Sequence, residues 1–245
     1  VFDDAQLVDT MRNDSDSNRL PDEYGLILTN LLKLKGIDPS DITSICTCSV
    51  VPPLTAVFEH VAINFFNTEQ FTITAGIKTG LPILYDSPRD VGADRIVDAV
   101  AGVQLYGAPL IIVDFGTATV FDAISSKKEY IGGAIVPGIN ISAEALFLNT
   151  SQLRRVELIA PENPIGKNTT AALQSGLVFG YTDLVTGLVS RFKNELGPHA
   201  KVIGTGGLSP IISQHTTIFD EINLDLTLLG LNMLYSINHS SNKEN

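Results

Sequence analysis

The sequence predicts an α/β protein made of two halves with a similar order of elements, and three observations carry that reading. Short apolar runs of strand length alternate with longer stretches of helical period. Three sequential strand-like runs across 109–136 lead into a helix, which predicts an antiparallel meander with a helical cover. Val120-Phe121-Asp122-Ala123 repeats the opening Val1-Phe2-Asp3-Asp4, and each is followed by a polar turn and another strand. At 245 residues the chain has room for two half-size cores.

The elements follow in order. Val1–Phe2 and Gln6–Met11 read as strands around the acidic turn Asp3-Asp4. Leu20-Pro21-Asp22-Glu23 is a helix start, with proline at the first turn and acids on the positive end of the dipole. Leu26, Ile27, Leu31, Leu32 and Leu34 follow, and Gly36 ends the helix. Asp41 to Val50 reads as a buried strand, and Pro52-Pro53 opens a helix with Val57, Val61 and Phe65 inward. Residues 74–91 are rich in Gly, Pro and Asp and read as loop. A helix over Ala93–Leu105 turns Ile96, Val97, Val100 and Val103 inward. The meander is Pro109–Asp114, Ala118–Ser125 and Tyr130–Val136, running into Pro137-Gly138 and a helix. Asn168–Leu196 predicts a helix broken near Gly180. Val202-Ile203 is a strand, Gly204-Thr205-Gly206-Gly207 a turn into a short helix, and Leu224–Ile237 a last helix before a polar, frayed tail over Asn238–Asn245.

Composition narrows the function. Hydrophobic residues make up 44% and charged residues 18%, which excludes a disordered or fibrous chain. No apolar run is long enough to span a membrane, and the first residues are not a signal peptide, so a cytoplasmic location is expected. A net charge of −11 repels phosphate backbones and argues against nucleic-acid binding. Cys46 and Cys48 alternate in one apolar run and read as two small buried residues on one strand face. His60, His199, His215 and His239 have no metal spacing and read as surface or structural residues.

Three segments could carry chemistry. Asp114-Phe115-Gly116-Thr117 ends a strand with a glycine that lets backbone N–H groups approach an anion. An aspartate there makes sense as the ligand of a cation that offsets phosphate charge, although the same residues also make an ordinary hairpin turn. Gly92-Ala93-Asp94-Arg95 begins a helix. Asp94 is either a general base with Arg95 as an anion clamp, or an acid on the helix dipole beside a surface arginine. Gly204-Thr205-Gly206-Gly207 suits close approach of backbone to a flat ligand, or merely a tight strand–helix turn. Neither a P-loop nor a dinucleotide fingerprint occurs.

Taken together, Tyr85 to Arg95 (YDSPRDVGADR), VDFGTATVFD at 113–122, GGAIVPGI at 132–139, GKNT at 166–169 and GTGGL at 204–208 resemble, in order, the type III pantothenate kinase family. DEYGLIL at 22–28 and SVVPPLT at 49–55 match it too. The resemblance implies two duplicated ribonuclease H-like halves of the actin-like ATPase and sugar kinase fold, expected at 1–107 and 108–245, with the nucleotide cleft between them. It implies ATP-dependent phosphorylation of pantothenate, the first step of coenzyme A biosynthesis, with Mg2+ and a monovalent cation (K+ or NH4+). Carried over by motif, Asp94 is the catalytic base. Tyr85, Gly92, Ala93, Arg95 and Thr169 line the pantothenate site. Asp114 holds the monovalent cation, Gly116 and Thr117 contact ATP, and Gly204, Thr205, Gly206 and Gly207 form the adenosine motif. The resemblance also implies a homodimer.

One departure stands against it. The family opens on a strand bearing Asp-x-Gly-Asn-Thr, its first phosphate loop, and this sequence begins after that strand. A polypeptide starting at Val1 is therefore expected to be a poor or inactive kinase. The rival readings are a catalytically impaired binding or regulatory protein of the same family, and another enzyme of the superfamily such as a sugar kinase or phosphatase.

Overall fold

The structure, a computed structural model, describes residues 1–239. In chain order the elements are strands β1 (Phe2–Asp3) and β2 (Gln6–Leu7), helix α1 (Pro21–Leu34), β3 (Ile45–Thr47), α2 (Pro52–Phe66), β4 (Gln70–Thr72) and α3 (Ala93–Tyr106). They continue with β5 (Leu110–Phe115), β6 (Ala118–Ile124), β7 (Tyr130–Pro137), α4 (Ile139–Leu148), α5 (Thr169–Leu196), β8 (Lys201–Thr205), α6 (Ser209–Ser213), β9 (Glu221–Ile222) and α7 (Leu226–His239). They divide into two compact units. Among the described residues the first holds 1–80, 87–100 and 227–239, and the second holds 81–86 and 101–226.

The second unit is a five-stranded sheet in the order β7-β6-β5-β8-β9. β6 runs antiparallel to β5 and β7, whereas β8 is parallel to β5 and β9 is parallel to β8. Numbered along the chain this order is 3-2-1-4-5 with only the second strand reversed, which is the plan of a ribonuclease H-like half. The expected meander is its first three strands. One face of the sheet buries Ile111, Val113, Phe115, Phe121 and Val202 against Tyr181, Val185 and Val189 of α5. The break expected near Gly180 does not occur: α5 runs unbroken for 28 residues. A helical glycine costs about 1 kcal/mol, and burial of this apolar stripe outweighs that.

The first unit carries two separate strand pairs. The two strands read around Asp3-Asp4 pair antiparallel as β1 and β2, but β2 stops at Leu7 rather than Met11, and β3 and β4 pair in parallel. The buried strand expected over 41–50 shortens to Ile45–Thr47 and is only half-buried, because β4 is its sole strand partner among the described residues. Cys46 and Cys48 are likewise half-buried rather than buried, and Cys48 lies beyond the strand. A cavity of about 630 Å³ opens beside β3, lined among others by Val1, Phe2, Leu28, Leu32, Ile45 and Leu231. Below it α1 packs on α2, with Tyr24, Leu32, Leu54, Val61 and Phe66 buried, while Leu26 and Leu34 face outward. The α1 start forms as read: Glu23 Oε2 accepts the Leu20 amide at 2.7 Å, and Gly36 takes the left-handed turn at φ +75°. Of the tail expected from Asn238, the first two residues complete α7, and 240–245 lie outside the described residues.

α7 meets α3 within this unit at Gly230. A Cβ there would meet the Val97 carbonyl oxygen and lie 2.7 Å from Val97 Cγ1. Gly→Ala in an open helix stabilises by up to about 1 kcal/mol, but here overpacking reverses the sign. Gly230→Ala is expected to lower stability by about 1–3 kcal/mol, read as a reduced midpoint in urea.

Candidate active site

The second unit has a topological switch point. From β5 the chain goes to β6 and β7 on one side and returns as β8 and β9 on the other. In open α/β sheets, ligands bind outside the carboxyl ends of the strands at such a reversal. Asp114 of β5 and Thr205 of β8, 91 residues apart, are register partners at that end, so two of the sequence-derived segments come side by side. Gly206 follows at φ +83°. A Cβ on it would lie 2.5 Å from Asp114 Oδ1 and 2.6 Å from the Phe115 amide nitrogen. Both its backbone conformation and its packing therefore require glycine.

The Gly116–Thr117 turn is exposed, and Asp114 beside it is half-buried. The Gly116 amide donates to the Ala118 carbonyl at 3.1 Å, and the Gly138 amide donates to the Thr117 carbonyl at 3.1 Å. Gly138 lies between β7 and α4. A Cβ on it would strike the Thr117 carbonyl oxygen and approach that of Gly116 to 2.7 Å, so the start of α4 is seated directly on this turn. From below, the Tyr181 hydroxyl is shared between Thr119 Oγ1 and the Pro137 carbonyl, each at 2.7 Å. Burial pushes that phenol above its ordinary pKa. Gly204 is buried one residue earlier, where a Cβ would lie 2.5 Å from Ile222 Cδ1, so it packs within the sheet. Gly207 is exposed.

Two further sequence-derived residues lie elsewhere in this unit. Tyr85 sits on the 81–86 segment, which β7 holds by a parallel bridge between Ile83 and Tyr130. Thr169 is exposed at the first position of α5, where Asn168 Oδ1 caps the helix by accepting the Ala171 amide at 2.9 Å.

Gly92, Ala93, Asp94 and Arg95 belong to the first unit, at the start of α3. Asp94 Oδ1 accepts the Arg95 amide at 2.9 Å, and a Cβ on Gly92 would lie 2.5 Å from the same oxygen. Glycine thus leaves the carboxylate uncrowded on that side. The reading of Arg95 as a surface residue fails, since only 8% of it is exposed.

Nothing around Cys46 and Cys48 activates them as nucleophiles. Burial pushes both thiols up to about 12, and at Cys48 the Asp94 and Asp98 carboxylates add to it. A folded pKa raised above the unfolded value means that the native state holds the proton longer. Stability is therefore full below about pH 9 and falls as pH rises toward 12. Alkaline unfolding is expected to flatten over that window in Cys46→Ala/Cys48→Ala, and both thiols should resist iodoacetamide at neutral pH. Among the described residues no cluster of three His, Cys, Asp or Glu could hold a metal, and no helix is long and apolar enough to cross a membrane.

A ribonuclease H-like sheet with glycine turns at its switch point, in a two-unit α/β chain, defines the fold class of the actin-like ATPases and sugar kinases. The type III pantothenate kinase family model matches residues 1–191. A type III pantothenate kinase from Myxococcus xanthus (strain DK1622) is 46% identical over 241 residues, covering 98% of this chain and 94% of that protein. The chain belongs to the type III pantothenate kinase family. Among solved structures, a protein described as a Baf family transcriptional activator from Campylobacter jejuni matches with a TM-score of 0.58 at 19% identity. That match covers 82% of this chain and 85% of the other, and it shows the shared fold alone.

Proposed function

We propose that this chain transfers the γ-phosphoryl group of ATP to the primary hydroxyl of pantothenate, giving 4'-phosphopantothenate for coenzyme A synthesis. One observation carries the reading: this chain, 46% identical over 98% of its length to a type III pantothenate kinase, packs Gly206 so closely on Asp114 at its sheet's switch point that a Cβ would not fit. Asp94 is the general base that takes the hydroxyl proton as the alcohol attacks. An alcohol is too weak an acid to give up that proton unaided at neutral pH. Arg95, Gly92, Ala93, Tyr85 and Thr169 position pantothenate. The Gly116–Thr117 turn faces the phosphates with the Thr117 hydroxyl as a donor, and the Gly204–Gly207 turn takes the adenosine.

The donor set at Asp114 is made of oxygen atoms, which suits a hard cation. Asp114 would hold K+ or NH4+, and Mg2+ would enter with the nucleotide. These cations supply the positive charge that an acidic protein needs against a triphosphate. The remaining work is positioning and charge stabilisation by the chain's own donors.

The first unit reads as a second copy of the same plan, with the duplicated segments at 1–107 and 108–245. The hairpin β1–β2 corresponds to β6–β7 and the parallel pair β3–β4 to β8–β9. On that correspondence the counterpart of β5 would stand between Phe2 and Ile45, which line one cavity. The protein works as a cytoplasmic homodimer without nucleic acid or membrane, and light scattering in solution tests the dimer.

The test of the activity is ADP release from ATP with pantothenate, in potassium and in sodium buffer. Pantothenate-dependent release that is faster in potassium is expected. A silent 245-residue chain would be assayed again with an Asp-x-Gly-Asn-Thr strand ahead of Val1. Silence of both overturns the reading.

A further inference from the structure

Tyr130 is fully buried at the first position of β7, and its environment is unusual for a core aromatic. Its hydroxyl donates to Asp122 Oδ1 at 2.7 Å, and Asp122 is itself only 2% exposed, in mid-strand on β6. A carboxylate buried in a sheet costs free energy unless it is well bonded. A Phe–Leu pair would fill the same space without that cost.

The backbone of the same residue does something else. The Tyr130 amide donates to the Pro82 carbonyl at 2.9 Å, and the Tyr130 carbonyl accepts the Leu84 amide at 2.8 Å. The 81–86 segment is thereby stitched to β7 at Tyr130, immediately before Tyr85. The ring of Tyr85 lies 6.3 Å from that of Tyr130, tilted by 52°. On its other edge is Gly132 at φ +127°, where a Cβ would come within 3.6 Å of the Tyr85 ring. The register of β7 on β6 shifts between Ala123 and Ile124, so Ala123 faces Gly132 and Ile124 faces Tyr130. This irregularity skips Ile131 and leaves Tyr130 and Gly132 as the two residues that frame Tyr85.

We propose that the buried Tyr130–Asp122 pair is a positioning device that fixes the 81–86 segment and, through it, Tyr85 for recognition of pantothenate. The proposal rests on the reading above in which Tyr85 contacts that substrate. The hydroxyl anchors Tyr130 to β6, the Tyr130 backbone anchors the segment, and the framed ring of Tyr85 has little freedom left. Less freedom before binding means less ordering cost at binding, so the pair acts on substrate affinity rather than on phosphoryl transfer.

Tyr130→Phe removes the hydroxyl and keeps the ring. It is expected to raise KM for pantothenate about tenfold, with kcat and KM for ATP within about twofold of the parent. A merely structural role would instead lower Tm and change all three together. A second readout is independent of activity. The sequence contains no tryptophan, so Tyr85→Trp places a single reporter on the segment. In that background Tyr130→Phe is expected to increase acrylamide quenching of the reporter at least twofold. Asp122→Asn, which leaves a weaker acceptor for the hydroxyl, moves both readouts the same way by less, and it decides the matter should Tyr130→Phe fail to fold. Unchanged quenching together with an unchanged KM for pantothenate overturns the proposal. If neither the parent nor its version extended ahead of Val1 shows pantothenate turnover, the kinase reading fails, and quenching alone decides whether the pair holds the segment.

Discussion

Asp94→Asn is expected to lower kcat for pantothenate phosphorylation by roughly 10²–10⁴-fold, the usual contribution of a positioned base. KM for pantothenate and for ATP should change little. The amide matches the carboxylate in shape, and its oxygen can still accept the Arg95 amide that Asp94 Oδ1 now holds at 2.9 Å. The local structure at the start of α3 is therefore preserved, and the loss falls on proton transfer. Steady-state ADP release checks it, with the Tm of the variant as a control. A variant of unchanged kcat would show that the hydroxyl loses its proton elsewhere, and Asp94 would revert to an acid on the helix dipole.

Gly206→Ala is expected to raise Kd for ATP by about 100-fold, measured by calorimetry or by competition with a fluorescent nucleotide. Two effects act together. At φ +83° an L-residue is strained by roughly 1–2 kcal/mol. The added methyl would also sit 2.5 Å from Asp114 Oδ1 and 2.6 Å from the Phe115 amide nitrogen, and the latter is backbone of a central strand that cannot yield. The cheaper escape is for the 204–207 turn to swing away from the end of β5. That separates the two segments proposed to hold the nucleotide, so affinity falls more than Tm does. Gly207→Ala, one residue on and exposed, is the contrast and should cost several-fold less. Equal effects at both positions would indicate that the close approach to Asp114 has no part in binding.

Much of this chain is legible without coordinates, and particular residues show why. The start of α1 was readable because proline, the acidic first turn and the Glu23–Leu20 bond all lie within four residues. The β5–β6–β7 meander was readable because its strands are six to eight residues long and are joined by tight turns. β4 and β9, three and two residues long, were not readable from periodicity, which has no meaning over so few positions; β1 and β2 are as short and were read from the acidic turn Asp3-Asp4 between them. The unbroken α5 was missed because a local rule about glycine was set against burial on a distant sheet, and burial wins. Arg95 was misread in its structural alternative because adjacency to Asp94 says nothing about depth.

The sequence by itself determined the types of residue at the site and the order of elements that carries them, because caps, turns and periodicity are written within a few positions. Only the tertiary structure decided which of those residues touch. Asp114 and Thr205 become register partners through parallel strands 91 residues apart, Gly206 closes on Asp114, and Tyr130 bonds Asp122 while framing Tyr85. Such contacts depend on which strand stands next to which, and no local spacing records the pairing that burial of a shared apolar face selects.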